Sequence, residues 1–278
     1  MRLRLIWLVL AVGAVVPALG STVVAPNLGT ASTFGLLGDT ISNTGVSNVV
    51  GNVGAKTTIT GFPPGTATGT VYPFPSDPTV TQAYLDFVGA YNLALLDPST
   101  QTVPDLTMSR LFLGNNAFTF PSLTDVVTTA NITLTFDAQG DSTEVFIIEI
   151  PRDLTVNGPL NFTLQNGALA SNIFWIVGRT ETINPVGVAQ TWDGSILAGT
   201  SFTMSSIGPS SALAGTINGC VFTETANTLA GKTQVNGCSA ASVPETGSLG
   251  LMSLAGLLGL LARRKLEPSQ ELHAVNPN

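Results

Sequence analysis

Leu197-Ala198-Gly199, Leu213-Ala214-Gly215 and Leu229-Ala230-Gly231 recur at equal intervals, in a stretch otherwise rich in β-forming residues. A fixed short period of apolar, small and turn residues is the pattern of a stacked β coil, in which each repeat leans on its neighbours. The same texture continues outward from this stretch. Runs of Val, Ile, Phe, Thr and Leu, among them 132–136, 144–150, 172–177 and 220–225, are separated by Gly, Asn, Pro and Asp turns. One segment departs from it. Asp77-Pro78-Thr79 offers an N-cap and a proline at the first helical position. Val80, Tyr84, Phe87, Val88, Tyr91 and Leu95 then share one face at spacings of three and four, and Asp97-Pro98 stops the run. The spacing predicts a single helix over about residues 78–96, roughly 27 Å long at about 1.5 Å per residue.

Between Ser21 and Ala240 threonine occurs 35 times and histidine not at all; the one histidine, His273, lies far downstream. Most hydrolytic and metal-dependent chemistry uses an imidazole as base or ligand. The same stretch holds five basic residues (Lys56, Arg110, Arg152, Arg179, Lys232) against fourteen acids, 5 − 14 = −9. It has no basic patch to meet a phosphate backbone, so nucleic acid is not an expected partner. The surface is expected to be largely Thr, Ser, Asn, Gly and Ala. Asp137 and Asp141 bracket Ala-Gln-Gly without the further acids of a calcium loop, so a turn is expected there and no metal. Glu144 and Glu149 are read as solvated strand positions rather than a glycosidase pair. No nucleophile elbow, phosphate loop or dinucleotide fingerprint is present, and Trp175 and Trp192 read as core. No enzyme activity and no cofactor are expected.

The two ends carry addresses. Residues 1–20 combine Arg2 and Arg4, an apolar run from Leu5 to Val16, and Ala18-Leu19-Gly20 before Ser21, the layout of a secretory signal peptide. In an exported chain the pair Cys220 and Cys238 can form a disulfide, the alternative being two small buried hydrophobes. Val243-Pro244-Glu245-Thr246-Gly247 precedes an apolar run, Leu249 to Ala262, and the cluster Arg263-Arg264-Lys265. The run is shorter than the roughly 17–25 residues of a stable membrane span, which suggests transient anchoring followed by processing. It resembles the PEP-CTERM sorting signal of exopolysaccharide-producing bacteria, with Thr246 in place of the second proline. The same letters also resemble the Leu-Pro-x-Thr-Gly motif cut by sortases. Both place the protein outside the cell. The expected organisation is therefore a signal peptide (1–20), one β domain (21–240), a sorting or anchor segment (241–265) and a tail (266–278).

A resemblance spans most of the domain. Asn27 to Phe34 and Ile41 to Gly45 are followed by Gly51-Asn52-Val53-Gly54 and Gly61-Phe62-Pro63-Pro64-Gly65. Then come Phe136 to Asp141, Val145 to Ile148, Asn166-Gly167-Ala168, Asn172 to Trp175, Val177-Gly178, Gly194 to Ala198 and Thr200 to Thr203. In this order they resemble the DUF3494, or type-1, ice-binding proteins over about residues 25–240. The resemblance implies a discontinuous right-handed β-solenoid of triangular cross-section, with one long helix along its axis. It implies adsorption to an ice crystal surface and its ordered water. Asn115 to Phe120 and Glu149 to Arg152 depart from the family's usual letters, in the middle of the expected solenoid.

Threonine suits such a surface. It is β-branched and stiff at χ1, so little rotamer freedom is left to lose, and it offers a methyl and a hydroxyl together. Strands about 4.7–4.9 Å apart set these groups on a near-regular grid close to a repeat of the ice lattice. Alternation selects the candidates. Around Phe202 and Met204, Ser201, Thr203 and Ser205 look outward; around Leu213 and Ile217, Thr216 and Asn218 do so. Thr223 and Thr225 share a parity, with Thr228 soon after, and Thr40, Ser42 and Thr44 share another. A flat, uncharged face of these residues would hold ice. A groove lined by aromatics and carboxylates would instead mark a matrix or adhesion protein that binds exopolysaccharide without ice affinity.

Overall fold

The computed structural model describes residues 23–73, 77–97, 99–208 and 213–238. The expected signal peptide (1–20), the motif at 243–247, the apolar run 249–262 and His273 lie outside the described residues. Among the described residues the fold is mainly β with one α-helix, and every strand pairing is parallel.

The strands stack into three ladders. The first contains Asn116–Thr119, Phe146–Ile150, Ile173–Val177, Ser195–Ala198 and Val221–Thr223. The second contains Val126–Thr128, Leu154–Val156, Thr180–Ile183, Ser201–Met204 and Ala226–Leu229. The third begins with Arg110–Leu113, Ile132–Asp137 and Leu160–Gln165, and resumes with Gln190–Asp193, Leu213–Asn218 and Lys232–Val235. The long strand Phe34–Asn43 belongs to two ladders. Its start lies beside Val221 and Phe222 in the first, and its end beside residues 226–229 in the second. Amino-terminal strands thus continue the ladders where carboxy-terminal ones stop.

Each ladder is regained after a variable interval. Ile150 lies beside Val177 and Val177 beside Ala198, so the first of these two coils is longer than the second. The interval between the Leu-Ala-Gly triplets is therefore not the structural period. Leu197 sits in the first ladder, Leu213 in the third and Leu229 in the second. The triplets close strands in the first and second ladders but open one in the third, so they do not stack on one another.

Inward side chains fill the space between the ladders. Phe112, Phe136 and Phe162 line up as stacked rings, and Phe162 meets Trp192 edge-on at 5.2 Å. Trp175 and Trp192 are both fully buried, and the Trp175 indole donates to the Asp193 carbonyl at 3.0 Å. Each buried side chain of this size contributes about 1.5–3 kcal/mol relative to exposure. The third ladder is interrupted between Leu160–Gln165 and Gln190–Asp193. The Gln190 amide spans the break, accepting from the Leu160 N–H at 3.1 Å and donating to the Leu160 carbonyl.

Helix α1 runs Pro78–Ala94, with the Asp77 carboxylate accepting from the Thr79 N–H at 2.8 Å. It ends two residues short of the predicted limit, with Leu95 as C-cap. Its buried line is Val80, Ala83, Phe87, Ala90, Tyr91 and Ala94, so small alanines allow close approach where bulkier residues were expected. Phe87 meets Phe222 at 5.7 Å, and the Tyr91 hydroxyl donates to the Val177 carbonyl at 3.4 Å. The helix thereby covers the outer side of the first ladder. Burial pushes the Tyr91 hydroxyl up to about 12. Cys220 and Cys238 are joined by a disulfide.

Candidate functional site

Three outer sides compete for a surface function; one is covered by a helix and another is partly self-bonded. The first ladder lies under α1. In the third, one group of polar side chains satisfies itself, while among the described residues the hydroxyls of Thr135, Thr163, Thr191 and Thr216 carry no side-chain hydrogen bond. A relay runs Thr66 to Asn48 (2.9 Å), Asn48 to Gln234 (3.0 Å), Gln234 to Asn236 (2.9 Å), Asn236 to Asn218 (2.7 Å) and Asn218 to Asp193 (2.7 Å). Such groups are locked by the protein and have less to offer a ligand.

The second ladder differs. Leu154, Glu181, Phe202, Asn227 and Ile41 share one inward level, and Val156, Ile183, Met204, Leu229 and Asn43 the next. Between these levels one outward row reads Val127, Thr155, Thr182, Thr203, Thr228, Ser42, Thr60, each beside the next in register. A second row, two residues earlier along each strand, reads Thr180, Ser201, Ala226, Thr40, Thr58. Neighbours in a row lie about 4.7–4.9 Å apart and the rows about 6.6 Å apart. Just past the strand ends come Asn184, Ser205, Ala230 and Thr44, held by backbone bonds to the neighbouring strand. Among the described residues no side-chain hydrogen bond engages the hydroxyls of Thr155, Thr182, Thr203, Thr228 or Ser42, so these remain free for water. The Thr180 and Ser201 hydroxyls lie 3.1 Å apart.

Charge is kept to the margin. At one end Arg152 donates to Asp125 at 2.7 Å and holds its carboxyl below the usual range. Asp153 accepts from the Thr180 N–H at 2.9 Å. A shallow groove between the rows there is lined by Asp125, Val127, Asp153, Thr155, Thr180 and Thr182.

The expected residues divide. Thr40, Ser42, Thr44, Ser201, Thr203, Ser205 and Thr228 come together on the second ladder. Thr216 and Asn218 face outward on the third, in the relayed side. Leu213, expected inside, is 44% exposed, because a register shift at Leu213/Gly215 resets the alternation. Thr225 is exposed at the corner between the first and second ladders. Thr223 is fully buried and points inward with Ala198 and Val177. It was expected outside. Its strand ends at Thr223 rather than reaching Thr225, and that strand is covered on one side by α1 and on the other by core.

Thr58, Thr60, Thr155, Thr180 and Thr182 were missed. Leu154-Thr155-Val156 carries the same alternation that marked Thr203. In Thr180-Glu181-Thr182-Ile183 the signal is hidden, because an acid occupies the inward position. Glu181 is fully buried, neither carboxylate oxygen has a partner, and desolvation raises its carboxyl well above the ordinary value.

Asp137 and Asp141 make turns, accepting from the Gln139 and Thr143 N–H groups at 2.8 and 2.9 Å. Glu144 lies in the turn before Phe146–Ile150, and Glu149 within that strand beside Thr119. Neither is freely solvated as expected: burial raises both carboxyls.

The family described as Ice-binding-like matches residues 36–236. An ice-binding protein of Nostoc sp. (strain HG1) is 37% identical over 183 residues, 64% of this chain and 63% of the relative's own length. One from Flavobacterium frigoris (strain PS1) is 29% identical over 221 residues, 76% of each chain. A crystal structure of an ice-binding protein from the Antarctic ascomycete Antarctomyces psychrotrophicus superposes with a TM-score of 0.65 at 28% identity, covering 78% of this chain and 100% of that one. An ice-binding protein from an Antarctic biological consortium gives 0.63 at 27%, covering 80% and 94%.

Proposed function

This chain belongs to the ice-binding-like family, and from that premise we propose that it adsorbs to ice through the outer side of the second ladder. The observation that carries this is a pair of registered outer rows, in one of which Thr155, Thr182, Thr203, Thr228 and Ser42 have no side-chain hydrogen bond among the described residues. A rigid strand fixes each backbone, β-branching fixes each χ1, and the regular spacing repeats the contact along the face. Water ordered by the methyl and hydroxyl groups can then join the lattice at little further entropic cost. Bound protein would block growth and recrystallisation of ice.

The fold that supports this is a discontinuous right-handed β-solenoid of triangular section, with α1 along its axis. Its coils close by inserting the amino-terminal strands beside the carboxy-terminal ones. The protein is exported by residues 1–20 and held at the cell surface, or released into the matrix, through the signal at residues 243–247. Binding of exopolysaccharide alone is the second reading. The cleft at the break in the third ladder favours it, being lined by Asn161, Phe162, Gln190 and Asp193.

Thermal hysteresis and recrystallisation inhibition by the purified chain test the proposal. Ice shaping and a freezing-point gap are expected. A chain that leaves ice unshaped while retaining soluble exopolysaccharide overturns it in favour of the second reading.

A further inference from the structure

The two halves of the third ladder, Leu160–Gln165 and Gln190–Asp193, are not paired by their backbones. Only the Gln190 side chain bridges them, at Leu160. Paired strands would close the gap to about 4.7–4.9 Å. Here it opens as a cleft of about 220 Å³ whose lining includes Asn161, Phe162, Thr191 and Asp193. That volume is below the roughly 300–1,000 Å³ of sites for drug-sized ligands, which suits a single ring.

The break uncovers one aromatic side chain. Phe112, Phe136 and Trp192 are buried, whereas Phe162, between Phe136 and Trp192, is only partly so. Its ring lies within 8° of parallel to that of Phe136 and meets Trp192 edge-on at 5.2 Å, so it is held in place. Around it stand oxygens with nothing to bind. Asn161 Nδ2 donates to Asn131 Oδ1 and to the Ile132 carbonyl, and its Oδ1 has no partner among the described residues. One Asp193 oxygen accepts from Asn218 at 2.7 Å, and the other has no partner among the described residues. The Thr191 hydroxyl is exposed and likewise without a side-chain partner. Asn161 Oδ1 and the Asp193 carboxylate can only accept, so a ligand must donate. No Lys or Arg lines the cleft, and the carboxylate repels an anion. A neutral polyhydroxyl ring meets these conditions, because its C–H face packs on an aromatic ring and its hydroxyls donate.

We propose that this cleft binds one neutral sugar ring of a polysaccharide, its C–H face on Phe162 and its hydroxyls donating to Asp193 and Asn161. This rests on the second reading of the cleft and not on the ice face. The hydroxyl rows lie on the second ladder, so sugar and ice can be held together.

The purified chain, isotope-labelled for NMR, is titrated with methyl α-glucopyranoside, methyl α-galactopyranoside, methyl α-mannopyranoside and methyl glucuronide. Saturable amide shifts at Phe162 and Thr191 are expected with at least one neutral glycoside, with Thr182 and Thr203 unmoved and no response to the glucuronide. Asp193→Asn should weaken binding on the order of tenfold, the loss of one charge-assisted hydrogen bond. Thr191→Val leaves the Asp193–Asn218 bond intact and should weaken binding severalfold, which decides the matter if the first variant does not fold. No saturable shift with any neutral glycoside, equal or tighter binding of the glucuronide, or variants that bind like the parent overturn the proposal. Hysteresis of the same chain without sugar reports the ice reading separately.

Discussion

Glu181→Met is expected to stabilise the protein, and increasingly so as pH rises. Glu181 is sealed beneath the hydroxyl rows with both carboxylate oxygens unpartnered, between Leu154 and Phe202 at the same inward level. An unsatisfied buried polar group costs about 1–3 kcal/mol, which a thioether of similar length avoids. Linkage adds to this. The folded carboxyl is raised by desolvation, whereas the unfolded one titrates near about 4.3. The native state therefore keeps a proton that the unfolded state releases. This group's contribution to the parent's stability is fully present below the unfolded value and is lost as pH rises, until the folded group also ionises. While it stays protonated the loss is about 1.4 kcal/mol per pH unit. Between pH 5 and 7 the gap between variant and parent should widen by up to about 2.7 kcal/mol; other carboxylates cancel in the difference. Urea denaturation of both proteins at the two pH values measures it. At pH 7 each kcal/mol is worth about 2–4 °C in Tm for a domain of this size. A gap that is the same at both pH values, or a variant less stable at pH 7, would refute the reasoning. Ice shaping should persist, because Thr180 and Thr182 project from the other side of the strand.

Phe87→Ala should cost about 3–5 kcal/mol by opening the contact between α1 and Phe222, seen as a lower urea midpoint. Replacing Cys220 and Cys238 by serine opens a loop of sequence separation 18 and should cost about 3 kcal/mol. Melting temperature should drop, while ice activity below the transition stays unchanged. Gln190→Leu leaves the Leu160 N–H and carbonyl without their bridge across the break in the third ladder. A loss of about 1–3 kcal/mol is expected, and faster hydrogen exchange at Leu160 checks it.

What could be seen in the sequence follows from which rules are local. The start of α1 was legible because Asp77 and Pro78 act within one turn. The outward positions of Ser201 and Thr203 were legible because Phe202 and Met204 alternate with them in an unbroken strand. Thr223 was not, because it points into the core, and the helix that covers the opposite side of its strand lies far away in sequence. The rows themselves assemble from strands as far apart as Thr60 and Thr228, and no local pattern records that register. The evenly spaced triplet misled because coil length is set by the corners, and these vary from coil to coil.

The central claim is that one side of the molecule, and not another, holds ice. A growing ice front in solutions of the parent, Thr203→Tyr and Thr216→Tyr tests it most directly, by the fraction of each protein carried into the solid. Tyrosine at 203 breaks the central hydroxyl row; tyrosine at 216 adds the same bulk to the third ladder, beside Gln234 of its side-chain relay. The parent and Thr216→Tyr should enter the ice and Thr203→Tyr should stay in the liquid. Incorporation of Thr203→Tyr at the parent's level, or exclusion of Thr216→Tyr, would contradict the assignment of the face.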